Sequence, residues 1–137
     1  MNLPPDLAEL FRNTPVNRTL RFELHSHSEE RCELSMPSSG DFAQEEGFIQ
    51  GGILIAIADT AAVYLVHPGL DPAKTMTSIE SKMNYFRPAL PDQGRIWARS
   101  SVLKRGRRIA VCEVDIHQDE RYLAKGTFTY LIYDKPG

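Results

Sequence analysis

Apolar residues recur at helical spacing early in the chain, fill one long stretch near its middle, and then alternate with polar residues almost to the end. Leu3, Leu7, Leu10 and Phe11 follow the i, i+3, i+4 rhythm of a helix face. Pro4 and Pro5 stand where a helix can start and Asp6 complements its positive end, so a short amphipathic helix is expected there. Leu20 to His25 and Arg31 to Met36 read as two short strands joined by the polar turn Ser26-His27-Ser28-Glu29-Glu30, with Pro37-Ser38-Ser39-Gly40 ending the second. From Gly51 to about Val66 the chain is apolar on nearly every side, the pattern of a helix surrounded by other elements. Its alanines, Ala56, Ala58, Ala61 and Ala62, allow close approach of neighbours, and His67-Pro68-Gly69 stops it. Thr75 to Phe86, Ile96 to Leu103, Ile109 to Ile116 and Tyr122 to Tyr133 then alternate with period two. Ala110, Cys112, Val114 and Ile116 share one face there, with Glu113 and Asp115 on the other. Lys104 to Arg108 and Gln118 to Arg121 are short enough for antiparallel hairpins. The pattern predicts an α+β protein: two strands, one buried helix, then an antiparallel meander of four strands. With no repeat, linker or low-complexity tract, residues 1–137 read as a single domain.

Composition narrows the class. The 137 residues are 42% hydrophobic and 25% charged, the mix of a globular chain able to bury a core. The longest apolar run, Ile53 to Val66, is broken by Asp59 and Thr60 and falls short of the ~20 residues that cross a bilayer, so no membrane span is expected. The N-terminus lacks the basic start, apolar stretch and cleavage site of a secretory signal, which predicts a cytosolic protein. Cys32 and Cys112 lie within alternating apolar segments and read as small buried hydrophobes rather than a disulfide or metal framework. The formal net charge of −2 offers no general attraction to nucleic acid.

Asp59 is the one side chain charged at neutral pH between Glu46 and His67, in the middle of the core helix. Burial disfavours a carboxylate's charged form, so an acid there is either satisfied by nearby backbone or by Thr60, or it serves chemistry. Gln50-Gly51-Gly52 opens the same helix, where unpaired N–H groups and the helix dipole suit a developing oxyanion; alone, such a pair is an ordinary loop-to-helix junction. From Gly51 to Asp59 the helix rises ~12 Å, too far for both to serve one carbonyl at ~3 Å. In a symmetric dimer with two such helices running antiparallel, the N-terminus of one would lie beside the carboxylate of the other.

The order strand, strand, buried helix, four strands resembles the hotdog fold from about Leu20 to Tyr133, an antiparallel sheet wrapped around a central helix. Gly47-Phe48-Ile49-Gln50-Gly51-Gly52, with Asp59 seven residues beyond Gly52, resembles the central-helix motif of phenylacetate-degradation-type (PaaI-like) acyl-CoA thioesterases. In that family the motif is commonly His-Gly-Gly with an acid seven residues after the second glycine. Thr77 to Pro88, with Glu80, Lys82 and Asn84-Tyr85-Phe86-Arg87-Pro88, resembles its next strand. The resemblance implies hydrolysis of an acyl-CoA thioester without metal or redox cofactor. Asp59 would act as nucleophile or as the base that activates water, and Gly51 would donate its N–H to the thioester oxygen. Gln44 would position water or substrate, and Ser78, or Thr77 next to it, would support the acid. Gln50 replaces the usual histidine and cannot change protonation near neutral pH. It joins Gly52 as an expected substrate contact.

Lys104-Arg105-Gly106-Arg107-Arg108 forms a basic hairpin tip, and Arg87 stands just past the preceding strand. Arg87, Arg107 and Arg108 read either as solvated charge or as a clamp on the coenzyme A phosphates. His25 and His27 read as sharing one strand face, without a third ligand for a metal. Trp97, Tyr64 and Tyr130 read as core or interface aromatics. The expected assembly is a homodimer or a dimer of dimers with sites at the interface, without nucleic acid or membrane as partner. Two other readings stay open: a non-catalytic acyl-CoA binding or sensing module, which Gln50 permits, and a hotdog hydratase or dehydratase, against which the missing helix histidine counts.

Overall fold

The alternating segments form six strands in a computed structural model that describes residues 5–137. They are β1 (Glu23–His27), β2 (Arg31–Pro37), β3 (Lys74–Tyr85), β4 (Arg95–Arg105), β5 (Ile109–Gln118) and β6 (Arg121–Asp134). All neighbouring pairs are antiparallel, in the order β1-β2-β4-β5-β6-β3. The expected meander is therefore corrected at its start. β3 does not pair with β4; it runs along β6 at the far edge, and β4 pairs with β2 instead. The connection that crosses between β3 and β4 is held by buried Gln118, whose amide bonds the Leu90 N–H and carbonyl and the Gln93 carbonyl at 2.6–2.9 Å.

The sheet wraps the helix α3 (Gly51–Val66), whose observed ends are those expected. Leu54, Ile57, Ala58, Ala61, Ala62, Leu65 and Val66 are buried, and the helix packs mainly on β2, β4 and β5. The small residues bring backbone to backbone: the buried Ser100 hydroxyl on β4 donates to the Ala61 carbonyl at 2.8 Å, pinning helix to sheet. With the turn after it the helical stretch Gly51–Gly69 reaches 19 residues, long and apolar enough by composition to cross a bilayer. Here one face of it is the core of the sheet. The other face, with Ile53, Ile55, Ala56, Asp59, Thr60, Val63 and Tyr64, is only half-buried. The helix is thus not surrounded within one chain, and its second apolar face is explained by nothing in the sheet.

Two helices precede the sheet. In α1 (Pro5–Asn13) Leu7 and Phe11 are buried and Leu10 is exposed; Leu3 and Pro4 lie outside the described residues. The short α2 (Pro15–Thr19) takes Leu20 as its C-cap, so the first strand starts at Glu23 rather than Leu20. Buried Asn17 on α2 and Phe11 on α1 both meet Tyr64 of α3, the two rings packing edge to face with centroids 4.9 Å apart.

β1 carries a bulge between Leu24 and Ser26. Because side chains alternate across a strand, one extra residue moves every later side chain of that strand to the opposite face. His27 comes opposite Cys32, on the helix side, whereas His25 lies on the outer face, bonded to Ser35 at 2.6 Å and packed on Trp97. The shared face expected for the two histidines is thereby overturned. Among the described residues no group of three His, Cys, Asp or Glu side chains could hold a metal ion. Cys32 and Cys112 are buried on β2 and β5 with β4 between them, ~10 Å apart and beyond disulfide reach. Burial pushes their thiols up to about 12 and about 11.

Candidate active site

The expected site residues fall into two groups on α3, about two turns apart. The first surrounds the helix entrance. Gly47, at φ +87°, turns the preceding loop back on itself, Ala43 bridges Ile49, and the Gln50 N–H donates to the Phe42 carbonyl at 2.9 Å. This turn sets Gln44 beside the start of α3. The Gln44 side-chain oxygen is already engaged by the Glu46 and Phe48 N–H groups at 2.6 and 3.4 Å, so its amide nitrogen is the end left to address a substrate. Gln50 is the N-cap but makes no side-chain capping bond. Gly51, as the first helical residue, has an N–H without an intrahelical acceptor.

Gly51 also has a packing reason to be glycine. A Cβ there would stand 3.2–3.3 Å from ring atoms of Tyr85, whose hydroxyl donates to the Gly51 carbonyl at 2.9 Å. Burial raises that phenol above its ordinary value, so it stays a donor. At Gly52 a Cβ would meet only the Gln50 side-chain amide, its oxygen at 3.5 Å.

The second group surrounds Asp59. Its carboxylate is half-buried, and Oδ1 accepts a 2.7 Å hydrogen bond from the Tyr130 hydroxyl. Thr60 is not its partner: that hydroxyl donates back to the Ala56 carbonyl at 2.8 Å. Tyr130 stands opposite Ser78 in the β3–β6 pairing, and residues opposite each other in an antiparallel pair share a face. Ser78 is therefore on the Asp59 side of the sheet. Thr77, opposite Leu131, is on the other side and does not join this group.

The cations separate. The Arg87 guanidinium donates to the Tyr122 carbonyl at 3.0 Å and its backbone N–H to the Leu123 carbonyl at 3.2 Å, near the start of β6. Arg107 and Arg108 are exposed at the β4–β5 tip, where the Arg108 carbonyl accepts from the Ile132 N–H near the end of β6. Leu123 and Ile132 lie ~30 Å apart at ~3.3 Å per residue. Within one chain the three arginines therefore occupy two separate basic positions.

Tyr130 and Tyr85 are the members of these groups whose role the sequence did not give. Tyr130 reads as core, since it alternates with Phe128 and Ile132 on the inward face. Its hydroxyl, a polar atom among apolar neighbours, was the available signal.

The family described as thioesterase superfamily matches residues 46–125, more than half of the chain and both groups apart from Gln44 and Tyr130. The Escherichia coli protein named medium/long-chain acyl-CoA thioesterase YigI is 29% identical, covering 92% of this chain and 91% of its own length. Thioesterase HI1161 of Haemophilus influenzae superposes with a TM-score of 0.85 at 24% identity, covering 98% of this chain and 93% of the other. The phenylacetic acid degradation protein PaaI of Thermus thermophilus gives 0.78 at 24% identity, covering 86% and 98%. The last two share the fold, a hotdog architecture of six antiparallel strands around a long helix.

Proposed function

We propose that this chain, which belongs to the thioesterase superfamily, is a thioester hydrolase that converts an acyl-coenzyme A to free acid and coenzyme A. The acyl-CoA class is carried over from the YigI relative. The observation that carries the reading is the lone carboxylate of the core helix, half-buried and held by a phenol, in a chain whose helix entrance offers unpaired N–H groups. Asp59 either takes a proton from water that attacks the thioester carbonyl, or attacks that carbonyl itself to form a mixed anhydride that water then hydrolyses, freeing the acid and restoring the carboxylate. The Gly51 N–H stabilises the oxyanion, Gln44 orients water or substrate, Ser78 supports the acid, and the C–S bond breaks to release coenzyme A thiolate, which is then protonated. Gln50 and Gly52 line the approach.

One chain keeps the two groups apart, and the exposed edge supports a homodimer, alone or within a dimer of dimers. β3 is an edge strand of 12 residues, and Ile79 on it and the adjoining Phe86 are 54% and 52% exposed. A long edge of this kind is a template for pairing with another chain. Antiparallel pairing of β3 with its copy would set each Asp59 group against the partner's helix entrance. It would also bring Arg87 of one subunit to the end of the sheet where the other carries Arg107 and Arg108. The proposed unit is a single domain over residues 1–137, placed in the cytosol, where two buried thiols without a disulfide accord with a reducing compartment.

The test is thiol release from a panel of acyl-CoAs with short, long and aromatic acyl groups, measured beside equilibrium binding. Release from at least one member is expected. Binding without release across the panel would turn the reading to the non-catalytic binding module that Gln50 permits.

A second expectation concerns the basic tip. Arg107→Glu with Arg108→Glu should raise KM for a CoA thioester about tenfold and leave KM for the corresponding pantetheine thioester, which lacks the nucleotide phosphates, within about twofold. Equal shifts for both substrates would remove these arginines from the binding site.

A further inference from the structure

Tyr130 is 1% exposed on β6, and its hydroxyl makes two contacts to one residue: 2.7 Å to Asp59 Oδ1 and 3.4 Å to the Asp59 backbone carbonyl. Phe128, two residues earlier on the same inward face, fills the core without a hydroxyl. A buried phenol needs a hydrogen-bond partner, and Asp59 supplies it. Among the described residues nothing donates to the other carboxylate oxygen, Oδ2. The bond therefore fixes the carboxylate from the sheet side and leaves Oδ2 toward the half-buried face of α3.

We propose that Tyr130 is the positioning residue of the reaction, donating a hydrogen bond that fixes the orientation of the Asp59 carboxylate and aims Oδ2 at the substrate. The inference rests on the reading of Asp59 as the reacting carboxylate. A hydrogen bond to Oδ1 from a rigid, buried ring restricts rotation of the carboxylate, so the other oxygen keeps one direction. The direction of the bond is secure because burial, with Asp59 beside it, pushes the phenol far above its ordinary range. The groups facing the Tyr130 ring are Asp59 from α3, the Cys112 thiol from β5 and Ser78, opposite on β3.

Tyr130→Phe keeps the ring and deletes the donor. In the folded dimer kcat should fall ~10–100-fold with KM within about threefold, because a carboxylate free to rotate loses alignment more than substrate binding. Loss of a purely structural tyrosine would lower the melting temperature and leave kcat of the folded variant unchanged. Should Tyr130→Phe fail to fold, 4-fluorophenylalanine at position 130 fills the space of the hydroxyl without donating, and kcat should fall by the same ~10–100-fold. Wild-type kcat in a folded variant that lacks the donor, while Asp59→Asn is inactive, overturns the positioning role alone. Full activity of Asp59→Asn overturns the reading of Asp59 and this inference with it.

Discussion

Asp59→Asn is expected to lower turnover by ~100-fold or more while the protein stays folded and binds acyl-CoA. The amide is nearly isosteric, and its oxygen can still accept from Tyr130, so the 2.7 Å contact survives. What disappears is the negative charge, and with it both the nucleophile and the base. Because that charge acts in the transition state rather than in binding, kcat and kcat/KM should fall together. Steady-state thiol release and a thermal melt of the same sample measure the two sides of this expectation. Wild-type turnover in a variant with an unchanged melt would sink the assignment of Asp59.

The mixed dimer is the second large effect. Asp59→Ala removes the carboxylate, and Gly51→Pro removes the donor at the first helical position, where proline is tolerated. Each homodimer should be nearly inactive. In a heterodimer, one site inherits the intact Gly51 of the first variant and the intact Asp59 of the second, while the other site carries both lesions. Random pairing of equal amounts gives about half mixed dimers with one working site of two, hence about one quarter of wild-type activity. The proline ring would crowd Tyr85, whose ring stands 3.2 Å from the new Cβ. Gly51→Ala is therefore the control: it brings the same Cβ, keeps the N–H, and should retain far more activity than the proline variant. Verified heterodimers no more active than either parent would show that the site is not shared.

The core helix could be read to its ends because its signals are local: an apolar run, two glycines at its start, and His-Pro-Gly after it. The strands were legible for the same reason, and their ends moved by three residues or fewer. The two hairpins that link β4 to β5 and β5 to β6 come from short connections. The place of β3 does not. Its crossing to the far edge depends on which strand covers which side of α3, a matter of pairing between segments remote in sequence. The β1 bulge was equally hidden, since one extra residue changes the face of His27 without changing the alternation around it.

The sequence by itself determined that a single carboxylate would sit in an apolar helix, eight positions beyond the first glycine of a pair, and that helix geometry would keep the two ~12 Å apart. Only the tertiary structure decided what surrounds each. Asp59 and Tyr130 are 71 residues apart in the chain and 2.7 Å apart in space. Ser78 faces the acid and Thr77 does not, because strand register assigns every side chain to one face or the other. Arg87 and Arg108 lie near opposite ends of β6, though each borders a strand in the same stretch of sequence. Composition and period act through neighbours along the chain, whereas register, strand order and hydrogen-bond partners are set by packing around the helix.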